Sequence, residues 1–329
     1  MPTDVDLDAL RQWVGCEYWP NPDGFQAEPV RGIDVARYTA ALEDTRDWRG
    51  STPPGFMEVA SPNYLAYLNK SGEQFLRGLL PFESPWGSDW KPMMLIRQER
   101  WEIERNVVIG DVIRGRSTIT DISWTPARKG RPEMLSVEFT KRYRDAGDGL
   151  LGCVVWDMVF VEHALAEDRH SPEESPLVED SVALRAGRAP HPGDSLGRYT
   201  RRFDTEALVR WSAAIWDLGL PHIDPDYARQ VYGLPHAVAH GPFINAALAR
   251  LVTDWMDPAD RIRQHRGRFR RTAVGNDRLT FTARVTEVKS GDTGTIAIVH
   301  AQAMNQHDEL LAESETHCAL DVNHGIGRA

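Results

Sequence analysis

Two side chains able to handle protons near neutral pH stand five residues apart in WDLGLPHIDPDYARQVYGLPHAVAHGPF, residues 216–243. Asp217 precedes His222 across Gly219 and Pro221, residues that end a helix and turn the backbone. A carboxylate and an imidazole leaving one tight turn can converge on a single water, the imidazole taking or giving the proton. Further on, His240-Gly241-Pro242 opens an apolar run of helical spacing. The N–H groups at a helix start lack partners within the helix, and a carbonyl seated there is polarised as negative charge develops on its oxygen. Plainer accounts stand beside these: Asp217 as an exposed helix-end residue, His222 as a hydrogen-bonded loop histidine. His236 and His240 have HxxxH spacing, but Pro235 and Gly241-Pro242 keep them off one helix, so no metal pair is expected.

Other chemistries lose ground on the same sequence. Gly193-Asp194-Ser195-Leu196-Gly197 matches GxSxG, yet a nucleophile elbow needs a strand before it and a helix after it. Here a Pro-rich stretch precedes Ser195 and a charged, strand-like RYTRRF follows. There is no P-loop and no GxGxxG. A net charge of −10 argues against nucleic acid as a partner. Arg263, Arg266, Arg268, Arg270 and Arg271 form the one strongly basic stretch, either a solvated strand face or a collar for phosphates. Cys16, Cys153 and Cys318 lie far apart without CxxC, which leaves no zinc knuckle or disulfide framework and fits a reduced, cytoplasmic setting. The acidic start MPTDVDLDALRQW is not expected to be a signal peptide, and no apolar run is long enough to span a bilayer.

The elements that must position these residues recur along the chain. NVVIGDVIRGRSTITDI (106–122) and TAVGNDRLTFTARVTEV (272–288) share Val/Ile-Gly, then Asp or Asn, then an alternating strand; the second copy has one more residue between its Gly and its Thr. Each copy is followed by two β-rich runs joined by a turn, at 135–161 and at 295–320. Each is preceded by a short amphipathic helix, at 33–44 and at 204–219, where Asp204 suits an N-cap. A longer helix is expected near Pro62–Leu80 and near Pro242–Met256. The order helix, long helix, antiparallel strands, met twice, gives an α+β layer structure. A Pro/Ser/Glu-rich linker at 167–195 separates the halves. At 329 residues and 41% hydrophobic, the chain can fill two cores. All eleven histidines lie at position 163 or beyond, so the first half carries no Asp/His pair of its own. Its large apolar side chains, including Tyr64, Tyr67, Trp86 and Trp90, are core or the wall of a roomy site.

Asp217, His222, Asp224, Tyr227-Ala228 and His240-Gly241-Pro242 together resemble the MaoC-like family of (R)-specific enoyl-CoA hydratases and β-hydroxyacyl dehydratases, over most of residues 197–322. Ser51-Thr52-Pro53-Pro54 and Val108-Ile109-Gly110-Asp111 resemble, more weakly, the N-terminal domain of its two-domain members. The family often has Asn-Pro between Asp and His, where this chain has Gly219-Leu220 and places Pro221 one residue later.

The resemblance implies an α+β double hotdog, two curved antiparallel sheets each wrapped around a long central helix, and the duplicated order of elements predicts that the two sheets join edge to edge. Residues 1–166 would be a degenerate hotdog, 167–196 a linker and 197–329 the catalytic domain. It implies a hydro-lyase acting on an acyl thioester through Asp217, His222 and Gly241, with His240, Arg268 and Arg270 as substrate contacts. Coenzyme A would enter only as part of the substrate, with no metal or other cofactor. The expected partner is an acyl-CoA; nucleic acid and membrane are not expected, and a homodimer or higher oligomer is left open. A hotdog thioesterase, for which His222 is dispensable, and a non-catalytic acyl-thioester binder remain alternatives.

Overall fold

The computed structural model describes residues 6–18, 28–60, 93–128, 133–161, 190–291 and 294–320. The expected helix at 62–80, the residues Tyr64, Tyr67, Trp86 and Trp90, and most of the linker lie outside these. The first half contributes helix α1 (Leu7–Arg11), strand β1 (Glu17–Tyr18), helices α2 (Gly32–Leu42) and α3 (Phe56–Ala60), and strands β2 (Met93–Ile103), β3 (Arg114–Thr125), β4 (Met134–Arg144) and β5 (Leu150–Val161). The second contributes strand β6 (Ser195–Arg202), helices α4 (Thr205–Ile215), α5 (Leu220–Ile223), α6 (Pro225–Tyr232) and α7 (Gly241–Trp255), and strands β7 (Arg261–Phe269), β8 (Arg278–Gly291), β9 (Gly294–Met304) and β10 (Leu310–Leu320).

Among the described residues the strands form one ten-stranded sheet, in the order β1-β3-β4-β5-β2-β7-β10-β9-β8-β6. Its ladders are antiparallel throughout. The two halves join edge to edge, as the duplicated order of elements predicts, and the joint makes them one continuous sheet rather than two. The halves repeat one strand order, and their edges β2 and β7 pair, with Gln98 opposite Arg268, Arg100 opposite Arg266 and Glu102 opposite Gln264. Pairing satisfies backbone groups that two separate sheets would leave at bare edges. Ser195 already opens β6, and Gly193 N–H donates to the Val285 carbonyl at 2.8 Å. Ser195 begins a strand instead of ending one ahead of a helix, which removes the nucleophile-elbow geometry.

The internal repeat is visible in hydrogen bonds. Asp111 N–H donates to the Val108 carbonyl and its side chain accepts from Val108 N–H; Asp277 and Val274 do the same. The left-handed position of this turn is Gly110 (φ +98°) in one copy and Asn276 (φ +73°) in the other. Gly110 thus corresponds to Asn276, not to Gly275, and the extra residue noticed in the sequence disappears. Glycine and asparagine are the residues that tolerate this conformation.

Asp204 caps α4 by accepting from Ala207 N–H at 2.9 Å, as expected. Helix α7 packs on β6 to β10 and on β2. Tyr38 of α2 lies against Trp211 of α4, which stacks on Phe243 of α7 at 4.6 Å, so an aromatic column ties the halves together. Below it the joint is polar. His265 is buried between Thr316 Oγ1 and Asn245 Oδ1, both at 2.8 Å, and Trp101 Nε1 donates to Glu99 at 2.6 Å. Burial pushes the Glu58 and Glu99 carboxyls up and pulls the Lys141 ammonium down to about 7. All three are buried.

Gly267 makes room for Asn245: a Cβ at 267 would stand 1.9 Å from Asn245 Oδ1, and Asn245 is fully buried. Gly267→Ala should displace Asn245 from His265 and lower unfolding free energy by about 2 kcal/mol or more, read from denaturant unfolding. An unchanged midpoint would contradict this account of the joint.

Candidate active site

The carboxylate is placed by a helix ending. Helix α4 closes on Trp216 in the left-handed conformation (φ +60°), which lets Asp217 N–H donate to the Ser212 carbonyl at 3.0 Å. Asp217 Oδ1 then accepts from Gly219 N–H at 3.1 Å, fixing the turn. His222 sits on the short α5, opened by Leu220 and Pro221. Its Nδ1 lies 2.8 Å from the Val238 carbonyl, and Val238 N–H donates back to the Pro221 carbonyl at 2.8 Å. A carbonyl only accepts, so Nδ1 carries the hydrogen and neutral His222 keeps its Nε2 lone pair for another group.

Sequence reasoning paired Asp217 with His222. The closer partner in space is His240, the N-cap of α7, whose Nε2 lies 3.2 Å from Asp217 Oδ2. The approach is short but poorly aligned: both ring nitrogens of His240 are buried without a well-directed hydrogen bond. The His222 ring stacks on His240, with centroids 3.5 Å apart and planes inclined by 22°. The donor atoms of Asp217, His222 and His240 all lie within 4.8 Å of one another. This trio does not fit a metal. An ion bound through both ring nitrogens lies near both ring planes, and two near-parallel rings 3.5 Å apart have no such common position. His236 accepts from Ala237 N–H and stands apart from the trio.

Burial is the largest influence on Asp217 and pushes its carboxyl up, but His240, then His222 and the Gly219 N–H, together bring it well below the usual carboxylate range. Burial and the adjacent His240 pull His222 down to about 4, against Asp217 and the Val238 carbonyl, which raise it. Near pH 7 the site thus holds a carboxylate and a neutral imidazole with an open Nε2. At the start of α7, the Gly241 N–H has no hydrogen-bond partner among the described residues, and Pro242 has no N–H. Phe269 crowds Gly241: a Cβ there would stand 3.3 Å from its ring.

Asp217, His222, His240 and Gly241 border one cavity of about 320 Å³. Both halves line it. The first supplies Met93, Met94, Leu95, Ile96, Met134, Trp156 and Met158; the second supplies Ile215, Leu234, Val238, Ile244 and Phe269. Polar groups come from the dyad region and from Arg97, Arg270 and Arg271. Arg270 reaches the cavity while paired with Glu313. Arg268 does not: it is not among the lining residues, and its Nε points to Gln98 at 3.4 Å. Arg97, which sequence reasoning missed, sits at a register shift in β2 and pairs with Asp157 at 2.7 Å. Its only sequence signal was a charge inside an apolar run.

The first half has the same turn and not the same site. Helix α2 ends on Glu43 (φ +56°), Asp44 N–H donates to the Thr39 carbonyl, and Asp44 Oδ1 accepts from Arg46 N–H, matching Trp216, Asp217 and Gly219. There, however, Asp44 Oδ2 accepts from Trp48 Nε1, and Arg46 donates to the carbonyls of Thr253, in the last turn of α7, and of Asp257 just beyond it. The paired bridges Ser51–Val108 and Val238–Val274 bring Pro53 and Pro54 to the places of His240 and Gly241. Two prolines offer neither an imidazole nor an N–H.

Similar architectures are known. A structure named as a MaoC-like dehydratase is 18% identical to this chain, covers 95% of it and 99% of its own length, with a TM-score of 0.69. A MaoC-like dehydratase from Phytophthora capsici is 17% identical, over 98% of this chain and 99% of its own, with a TM-score of 0.62. A Mycobacterium tuberculosis protein described as having a double hotdog fold is 11% identical, over 95% and 97%, with a TM-score of 0.60. The chain has the double hotdog fold. No protein-family model and no curated protein sequence matches it. No helix among the described residues of this double hotdog is long and apolar enough to cross a membrane.

The depressed His222 has a stability consequence. Unfolded histidine binds a proton below about 6.5, folded His222 only near 4, so the unfolded chain binds more protons between these values. Stability should fall as pH drops from 6.5 to 4, and His222→Gln should lose less over that window than wild type, read as denaturation midpoints. Parallel midpoint curves would contradict the buried, neutral His222.

Proposed function

We propose that this protein is an (R)-specific enoyl-CoA hydratase, equally able to dehydrate the 3-hydroxyacyl thioester. The observation that carries this is the meeting of an ionised Asp217, a neutral His222 with a free Nε2 and the unpaired Gly241 N–H on one largely apolar cavity lined by both halves. Neighbours named as MaoC-like dehydratases support the same class.

The enoyl group lies among the methionines of the first half, and the thioester carbonyl sits at the start of α7. Water is held between Asp217 and His222. As its oxygen bonds to the β-carbon, His222 Nε2 takes the proton, and the π electrons move through the α-carbon onto the thioester oxygen. Gly241 N–H donates to that oxyanion, where the helix start favours negative charge. The dyad then returns a proton to the α-carbon, so one water is added and the site is restored. Methionine suits the acyl pocket because its unbranched, polarisable chain adapts to varied apolar shapes. Arg270, joined by Arg271 and Arg97, serves the phosphates of coenzyme A at the mouth; Arg268, turned to Gln98, is the least favoured of the expected contacts. Residues 1–166 act as the degenerate hotdog, and 197–329 as the catalytic one. A cytoplasmic setting belongs to the same proposal.

His222→Ala and Asp217→Asn should each slow hydration of a good enoyl-CoA by about 100-fold or more. The double variant should lose far less than the product of the two losses, because the groups act on one water. Loss of conjugated-thioester absorbance is followed beside release of free thiol. Thiol release by wild type without hydration, tolerant of His222→Ala, would make the protein a thioesterase; absence of both would make it a binder.

A further inference from the structure

His240 has no role in the reaction above, yet it touches both members of the dyad. Its Nε2 stands 3.2 Å from Asp217, and its ring lies 3.5 Å from that of His222. The contact with a carboxylate is attractive only with the hydrogen on Nε2. The ring is buried, lines the cavity and is held as the N-cap of α7. Its position is therefore as fixed as the helix.

We propose that His240 is the positioning residue of the site, a proton-bearing ring that holds Asp217 as the anion and reserves His222 as the base. Two imidazolium rings stacked this closely repel, so the pair avoids holding two positive charges. A proton on His240 is compensated by Asp217, whereas the proton that would neutralise the lone pair of His222 is kept off. When His222 takes the water proton, the same repulsion makes it readier to pass that proton on to carbon. The shifts of Asp217 and His222 agree in direction, since His240 lowers both. The other charged groups bordering the cavity are Arg97, Arg270 and Arg271, each paired with an acid. Among the causes moving His222, only His240 and Asp217 are charged side chains.

This inference rests on the hydratase reading for its purpose, but its test does not need turnover. Histidine side-chain nitrogens are followed by proton–nitrogen NMR against pH in wild type, in His240→Gln and in His222→Ala, the last assigning the His222 signals. Glutamine keeps a donor toward Asp217 and cannot carry the charge. In His240→Gln the His222 titration, near 4 in wild type, should move up by about one pH unit or more toward 6.5, with its hydrogen still on Nδ1. Where hydration is measurable, the acid limb of kcat/KM should move up with it, while KM changes little. A His222 titration unmoved in His240→Gln overturns the proposal, as does a purely kinetic loss with an unshifted limb. Should His240→Gln not fold, wild type decides: coupling to the neighbouring ring gives the His222 signals a two-step titration, and a single step overturns the proposal. A shifted His222 in a protein without hydratase activity would retain the inference and reject the hydratase reading, so the two fail separately.

Discussion

The ladder between β2 and β7 is the constraint on which the rest of the molecule depends. It makes two five-stranded halves into one sheet, and it does so with register Gln98–Arg268 to Glu102–Gln264, centred on Arg100 and Arg266. Because side chains alternate across a sheet, this register decides which residues face inward at the joint. Glu99, Trp101, His265 and Gly267 do so, and their mutual fit leaves space for Asn245 of α7. A slip by one residue would turn the arginines inward and expel the buried hydrogen-bonded chain. The cavity, whose walls come from β2 and β5 on one side and from α4, α7 and β7 on the other, exists only in that register.

On this frame the halves have diverged by changing side chains while keeping the backbone. The left-handed closure of α2 and of α4, the aspartate that follows and the turn accepted by its Oδ1 are the same in both. What differs is the surrounding chemistry: Trp48 and Pro53-Pro54 in one half, His240-Gly241 in the other. Asp44 is thereby turned into a strut, and its neighbour Arg46 ties the first half to the far end of α7.

Much of this was legible in the sequence because it is local. The Asp217–His222 spacing, the Pro242 helix start, the Asp204 cap and the paired β runs at 135–161 and 295–320 each depend on a few neighbouring residues, and each is where pattern placed it. The contacts that complete the site are not local. His240, 23 positions along the chain from Asp217, reaches it only because α7 starts beside the α4 ending, and Val238 orients His222 through a loop without periodicity. Arg97 enters the cavity through a strand irregularity, which leaves no mark in a one-dimensional pattern. Gly110 was matched to Gly275 because identity was visible, whereas the shared property was a left-handed backbone that asparagine also accepts. That the halves join edge to edge followed from the duplicated order of elements, but the register of the joint did not, because pairing between distant strands carries no sequence signature of its own.

The joint also sets an order of events during synthesis. β2 is made before the strands β3, β4 and β5 of its own half, while its partner β7 is made only after these and everything up to α7. A first half that folds as it emerges completes its hairpins and holds β2, with its Glu99 and Trp101, as an open edge. Such an edge is a template for any extended chain nearby. Until β7 arrives, another nascent copy offers the same strand, so the fused chain carries, in the interval of its own translation, the aggregation hazard that its finished sheet no longer has.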